Sequence, residues 1–309
     1  MPKRIAALDL GTNTFHLLIA DVSGNNIEQI VHSEQKHVKL GEGGINKGAI
    51  TESAYLRGLK ALSDFQQSIN YFSVEQIRAV GTAALRTAEN GQAFIDEIKA
   101  STGIRIEIID GATEAALIYK GVAQAVDLGG SSLIMDIGGG SVEFIFANSD
   151  GITWKKSYPI GAAKLMEMFH NSDPISENDV KAIHLNLDAV LADLKLRSQQ
   201  YKPSVLIGSA GAFETFATLC QIQGNRQKFS VERSYKFNID ELESAMAYIL
   251  SSIHSEREEN KAILPVRTDM IVVATVLTQY ILKELKIESV ELSAFALKEG
   301  LLLDNSKSW

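Results

Sequence analysis

A twelve-residue stretch occurs twice in this chain. DLGTNTFHLLIA (9–20) lies over DIGGGSVEFIFA (136–147) at an offset of 127 residues. Asp9 meets Asp136, Gly11 meets Gly138, Thr14 meets Ser141 and Ala20 meets Ala147. Each copy sits in the same setting: an apolar run, a glycine-bearing turn, a second apolar run, and a third after a short break. Two tight turns in succession imply an antiparallel meander. Its recurrence implies two related α/β halves. A chain of 309 residues has room for both, each with its own core. The junction falls near Ala125–Gly130, with no low-complexity linker. The expected domains are therefore 1–125 and 126–309, with the C-terminal helix packing back on the first.

Periodicity fills in the rest. The first half reads as strands at 4–10, 15–22 and 26–36, then a glycine-rich loop at 39–50. Thr51 is expected to cap a helix reaching Tyr71, with Leu56, Leu59, Leu62 and Phe65 on its buried face. A strand at 76–82, a helix at 91–101, a strand at 104–110 and a helix at 112–125 follow. The second half opens with three strands over 132–160, the last two joined by the hairpin Asn148–Gly151. Helices are expected at 161–169, 176–200, 240–252, 255–262, 269–284 and 295–303. Residues 204–220 read as strand, turn and helix, and 287–292 as a strand.

Composition narrows the function classes. The chain is 45% hydrophobic and 22% charged, as globular proteins are. Lys+Arg is 30 against Asp+Glu 38, a net charge of −8. A nucleic-acid coat needs a broadly basic surface, so no nucleic-acid partner is expected. Any positive potential must be local. One cysteine, Cys220, allows neither an intrachain disulfide nor a thiolate metal site. The start, MPKRIAALDL, lacks the features of a signal peptide. The apolar stretch 270–285 is too short to span a bilayer. A cytoplasmic protein without membrane partners is expected. The six histidines show no metal-ligand spacing, and neither a P-loop nor a G-x-S-x-G elbow occurs.

The glycine turns carry the chemistry. In D-x-G-T-N-T, Gly11 is expected to take a positive φ, and the N–H groups of Thr12, Asn13 and Thr14 to cradle phosphate oxygens. Asp9 can orient a water or hydrated Mg²⁺; the alternative is a plain β-turn. In D-I-G-G-G-S-V-E, Gly138, Gly139, Gly140 and Ser141 offer a second cradle. Asp136 and Glu143 flank it, and across a tight hairpin they could converge on one Mg²⁺. A third element, Gly208, Ser209 and Gly211 in I-G-S-A-G, opens a helix and is by itself weak. Arg86 and Glu114 read plainly as a surface arginine and a first-turn glutamate that favours the helix dipole. HSEREEN (254–260) reads as a solvated helix face, and Lys155 and Lys156 as surface residues or part of a basic track.

AALDLGTNTFHLLIA, AVGTAALRTA, IEIIDGATEAALIYKGV, IMDIGGGSVEF, IGSAGAFETFA and LPVRTDMIVVATVL, in this order, resemble the exopolyphosphatase/guanosine pentaphosphate phosphohydrolase family. That family belongs to the sugar kinase/Hsp70/actin superfamily, and the resemblance covers essentially the whole chain. It implies an α/β fold of two ribonuclease-H-like domains around an interdomain cleft. It implies Mg²⁺-dependent release of the terminal phosphate from inorganic polyphosphate or guanosine pentaphosphate. By the family pattern Glu114 is the general base, Arg86 grips phosphate, and Asp136 and Glu143 hold Mg²⁺. Thr12–Thr14 with Gly138–Ser141 form the phosphate cradle, Gly208–Gly211 a second-domain phosphate loop, and Arg267 is structural or near the cleft. Family members often dimerise. Longer members carry a further helical region that is not expected here, since the sequence stops at Trp309. Thr268, Ala274 and Lys298 depart from the common pattern and bear on substrate choice. A kinase of the same fold and a non-catalytic polyphosphate or alarmone sensor are the competing readings. Glu114, Asp136 and Glu143, all present, favour hydrolysis.

Overall fold

The computed structural model describes residues 2–223 and 233–305. The chain divides into two compact units. The first comprises Met1–Gln124, Gly138–Ser141 and the residues from Phe295 onward; the second comprises Ala125–Ile137 and Val142–Ala294.

The first unit is built on β1 (Lys3–Leu10), β2 (Phe15–Ser23), β3 (Asn26–Lys36), α1 (Glu52–Tyr71), β4 (Gln76–Gly81), α2 (Ala83–Thr87), α3 (Gly91–Thr102), β5 (Ile106–Ile108) and α4 (Gly111–Ala125). Its five strands order as β3-β2-β1-β4-β5. β1 to β3 form the expected antiparallel meander, and β4 and β5 join in parallel through helical crossovers. Leu8, Leu10, Phe15 and Leu17 pack with Leu62, Phe65 and Phe94 to make the core. The expected face of α1 needs correction: Leu56 is 58% exposed, and Ala54, Gly58 and Ala61 are buried instead. Thr51 stands at the N-cap without capping, because its hydroxyl donates to the Glu42 carbonyl. The strand expected at 104–110 is three residues long.

The second unit contains β6 (Ser132–Ile137), β7 (Val142–Asn148), β8 (Gly151–Tyr158), α5 (Ala162–Phe169), α6 (Glu177–Val190), α7 (Ala192–Tyr201), β9 (Val205–Ser209), α8 (Ala210–Gln223), β10 (Ser234–Lys236), α9 (Ile239–Ser251), α10 (His254–Glu259), a 3-10 turn (Pro265–Arg267), α11 (Met270–Leu285) and β11 (Val290–Ser293). Its strand order is β10-β11-β9-β6-β7-β8. Read from β8, this repeats the first sheet, with β10 added as an antiparallel edge. Both are ribonuclease-H-like sheets. The strand β10 was not foreseen; three residues give too little alternation to detect. The helix expected over 176–200 breaks at Leu191 (φ −100, ψ 17), whose own side chain is fully buried. The helix expected at 255–262 ends at Glu259.

The segment 254–260 is a solvated face at every position but two: His254, Ser255, Glu256, Glu258 and Glu259 are exposed, Asn260 is half-buried, and Arg257 departs from the expectation. Arg257 is 0% exposed. Its guanidinium donates to the carbonyls of Ser252 and Thr268 and to Asp173 Oδ1, the last at 2.8 Å. One buried arginine thus ties α10 to the turn before α11 and to the loop after α5. Charge patterning is blind to this, because the stretch is as charged as any exposed helix.

The last helix, α12 (Leu297–Leu302), lies in the first unit and packs on β1 and β2. Arg78, buried, donates to the Leu301 and Leu302 carbonyls at 3.0 and 2.7 Å and so caps its C-terminus. α12 crosses α4 at two glycines. A Cβ on Gly300 would lie 1.8 Å from the Leu117 oxygen, and one on Gly121 2.0 Å from the Ala296 oxygen. These are backbone atoms that cannot swing aside. Gly300→Ala should therefore cost about 1–3 kcal/mol or more by forcing the helices apart. A calorimetric scan checks it, and unchanged unfolding would show that the crossing has slack. Among the described residues no helix is long and apolar enough to cross a membrane.

Candidate active site

The two glycine turns share one geometry. The Gly11 amide donates to the Thr14 carbonyl at 3.2 Å, and the Gly138 amide to the Ser141 carbonyl at 3.0 Å. A Cβ on either glycine would approach that carbonyl oxygen to 2.9 or 3.0 Å. The expected positive φ at Gly11 is absent. The glycine is needed for room inside the turn, not for a left-handed backbone. Sequence cannot separate these two reasons, since both select glycine.

Within the first unit the turns are stacked. A Cβ on Gly139 would meet the Asn13 amide nitrogen at 2.4 Å. One on Gly140 would meet Ala83 Cβ at 2.7 Å and Thr12 Oγ1 at 2.8 Å. The Thr12 carbonyl accepts from the Gly41 amide at 3.0 Å and the Asn13 carbonyl from the Lys39 amide at 2.8 Å. Thr14 Oγ1 lies 3.4 Å from His37 Nδ1. The glycine-rich loop at 39–50 thus braces the first turn from behind. Gly139 and Gly140 let the second turn lie directly against the Thr12 and Asn13 side chains of the first.

Arg86 and Glu114 meet. α2 starts where Thr82 Oγ1 donates to the Leu10 carbonyl at the end of β1. One α2 turn later, Arg86 Nη1 donates to the Ile109 carbonyl at 2.8 Å and to Glu114 Oε2 at 3.0 Å. Glu114 is 6% exposed, in the first turn of α4. Asp110 caps that helix, its Oδ1 accepting from the Thr113 amide at 2.7 Å, and this hydrogen bond holds its carboxyl below the usual range. The D-G-A-T-E spacing therefore has a local meaning: Asp110 starts the helix, and Glu114 stands one turn along it beside Arg86. Glu114 does stand in the first turn of its helix, as its plain reading expects, and it also meets Arg86, 28 positions away.

In the second unit, Asp136 and Glu143 are direct cross-strand partners of β6 and β7, so both side chains leave the same face. Both are buried. Asp136 Oδ2 accepts from Ser209 Oγ at 2.5 Å, and Glu143 Oε1 from Ser157 Oγ at 2.6 Å. Two carboxylates suit Mg²⁺, which keeps waters and takes substrate phosphate oxygens as further ligands. Among the described residues no group of three or more His, Cys, Asp or Glu is assembled to hold a metal alone. In the first unit Asp9 pairs across strands with His16, the place that Glu143 holds in the second copy.

The third glycine element has packing reasons. A Cβ on Gly208 would fall 2.1 Å from the Phe213 ring, and one on Gly211 2.4 Å from the Arg267 guanidinium. Arg267 donates to the Gly211 carbonyl and to Glu214 Oε2, both at 2.8 Å, and is thus tied to the start of α8. Ala210, between strand and helix, has φ +66, a left-handed conformation uncommon for alanine. Lys156 is paired with Asp193 at 2.6 Å and lies over the Tyr158 ring.

Residues 18–308 match the model of the Ppx/GppA phosphatase family. The fold is similar to a crystal structure of an exopolyphosphatase from Cytophaga hutchinsonii, with a TM-score of 0.93 and 40% identity, over 97% of this chain and 96% of that one. Exopolyphosphatase 1 of Mycobacterium leprae is 25% identical over 97% of this chain and 88% of its own length. The guanosine-5′-triphosphate,3′-diphosphate pyrophosphatase of Vibrio vulnificus is 32% identical over 71% of this chain, a match spanning 44% of that protein.

Proposed function

The chain belongs to the Ppx/GppA phosphatase family, and from that premise we propose that it is an exopolyphosphatase that releases the terminal phosphate of inorganic polyphosphate with Mg²⁺. The observation that carries this reading is the contact between buried Glu114, on a capped helix, and half-buried Arg86, 3.0 Å away. Glu114 takes a proton from water as the water oxygen attacks the terminal phosphorus. The bond from that phosphorus to the bridging oxygen breaks, and orthophosphate leaves with a chain one unit shorter. Arg86 holds Oε2 of the base and sets its direction. Its guanidinium is also the right donor for phosphate charge. The paired turns Gly11–Thr14 and Gly138–Ser141 bring backbone N–H groups to the phosphates. Asp136 and Glu143 would hold Mg²⁺, which supplies charge neutralisation on the phosphate oxygens. Guanosine pentaphosphate is the second substrate to test, because the similar Vibrio vulnificus protein is named for that nucleotide.

The test is phosphate release from long polyphosphate, short polyphosphate, guanosine pentaphosphate and ATP, with Mg²⁺ and with excess chelator. The expected result is Mg²⁺-dependent release with the highest kcat/KM on polyphosphate. A higher kcat/KM on guanosine pentaphosphate transfers the assignment to that nucleotide. No release from any of the four overturns the enzyme reading.

A further inference from the structure

Four residues lie in one row across the second sheet. Ser209 of β9 pairs with Asp136 of β6, Asp136 with Glu143 of β7, and Glu143 with Ser157 of β8. Direct cross-strand partners stand about 5 Å apart on one face. The row reads hydroxyl, carboxylate, carboxylate, hydroxyl, and each outer serine donates to the carboxylate beside it. Ser209 is fully buried and Ser157 half-buried.

The corresponding row of the first sheet has no such order. There Val80 pairs with Asp9, Asp9 with His16, and His16 with Gln35. The repeat therefore preserves the strands and the first aspartate. The second carboxylate and both flanking serines belong to the second copy alone. Folding needs neither feature, since the first sheet forms without them. Directly opposed carboxylates repel, and a site for a divalent cation gives such a pair a purpose.

We propose that Ser157 and Ser209 are positioning residues for the carboxylate pair. Each hydroxyl fixes one oxygen of its neighbour, so the two carboxylates meet Mg²⁺ already oriented. Outer hydrogen bonds of this kind set ligand direction and basicity at metal sites. The proposal rests on the hydrolase reading and its assignment of Mg²⁺ to Asp136 and Glu143. Sequence offered nothing for Ser157: it is a serine in an edge strand, 14 residues from its partner. Ser209 was expected at a phosphate; its hydroxyl bond to Asp136 was not foreseen.

The experiment measures Mn²⁺ binding to the full chain by the electron paramagnetic resonance of the free ion. The variants are Ser157→Ala, Ser209→Ala, Ser157→Thr, Asp136→Asn and Glu143→Gln. The expected result is a loss of roughly 10–100-fold in Mn²⁺ affinity for each alanine variant. Ser157→Thr, which keeps the hydroxyl, should bind nearly as the parent does. In turnover, the Mg²⁺ concentration for half-maximal rate should rise while kcat at saturating Mg²⁺ changes little. If Asp136→Asn and Glu143→Gln abolish binding but the serine variants match the parent, the positioning role is overturned and the metal pair stands. If the carboxylate variants also bind as the parent does, the metal assignment falls and the proposal with it. Should Ser209→Ala fail to fold, the half-buried Ser157 series decides alone.

Discussion

Glu114→Gln should lower kcat for phosphate release by roughly 10²–10⁴-fold, the usual worth of a positioned general base. The amide keeps the size and an acceptor oxygen for Arg86, so the contact at 3.0 Å can persist and the helix cap at Asp110 is untouched. It cannot take a proton from water at neutral pH. KM should therefore change little, and the unfolding temperature should stay near that of the parent. The measurement is single-turnover phosphate release with binding followed separately. A variant that retains parent kcat removes Glu114 from the chemistry. One that loses binding and rate together assigns it to holding the substrate.

Arg257→Ala should have the largest effect on stability. Three acceptors meet its guanidinium, and the side chain has no contact with water. Breaking a buried charged network by removing one partner costs about 3–5 kcal/mol. For a unit of this size that corresponds to a fall in Tm of roughly 6–20 °C. The carbonyls of Ser252 and Thr268 would be left in a site closed to solvent, while Asp173 can turn to water. Arg257→Lys should recover little, since one ammonium cannot reproduce a planar fork. Differential scanning calorimetry checks both variants. A Tm within a degree or two of the parent would mean that water or a repacked side chain satisfies the carbonyls.

Glu114 and Arg257 each have a partner that their local reading does not announce, for one cause. Glu114 reads alone as a dipole-favouring glutamate, and Arg257 reads alone as part of a solvated face. Charge state says nothing of burial when the partner is distant in sequence. Arg86 is 28 residues from Glu114, and Asp173 is 84 from Arg257. Leu56 is the apolar counterpart. It keeps helical spacing with Leu59 and Leu62, yet faces out, because the crossing with α3 is made through small residues. Gly58 lies against the Phe94 ring there, where a Cβ would come within 2.7 Å.

What the sequence determined by itself was local and repeated. The 127-residue offset specified two meanders, the glycine turns at Gly11 and Gly138, and the alignment of Asp9 with Asp136. These depend on pleat, turn sterics and period, all expressed within about ten residues. The spacing of Asp136 and Glu143 around a tight hairpin likewise sufficed to put them on one face. What the tertiary structure alone decided was which polar groups meet. The Arg86–Glu114 pair, the burial of Arg257 and the hydroxyls of Ser157 and Ser209 on the two carboxylates arise where separate strands and helices come together. Burial and hydrogen-bond partnership are properties of that assembly, and Arg86–Glu114, Arg257–Asp173 and Ser209–Asp136 join residues 28, 84 and 73 positions apart.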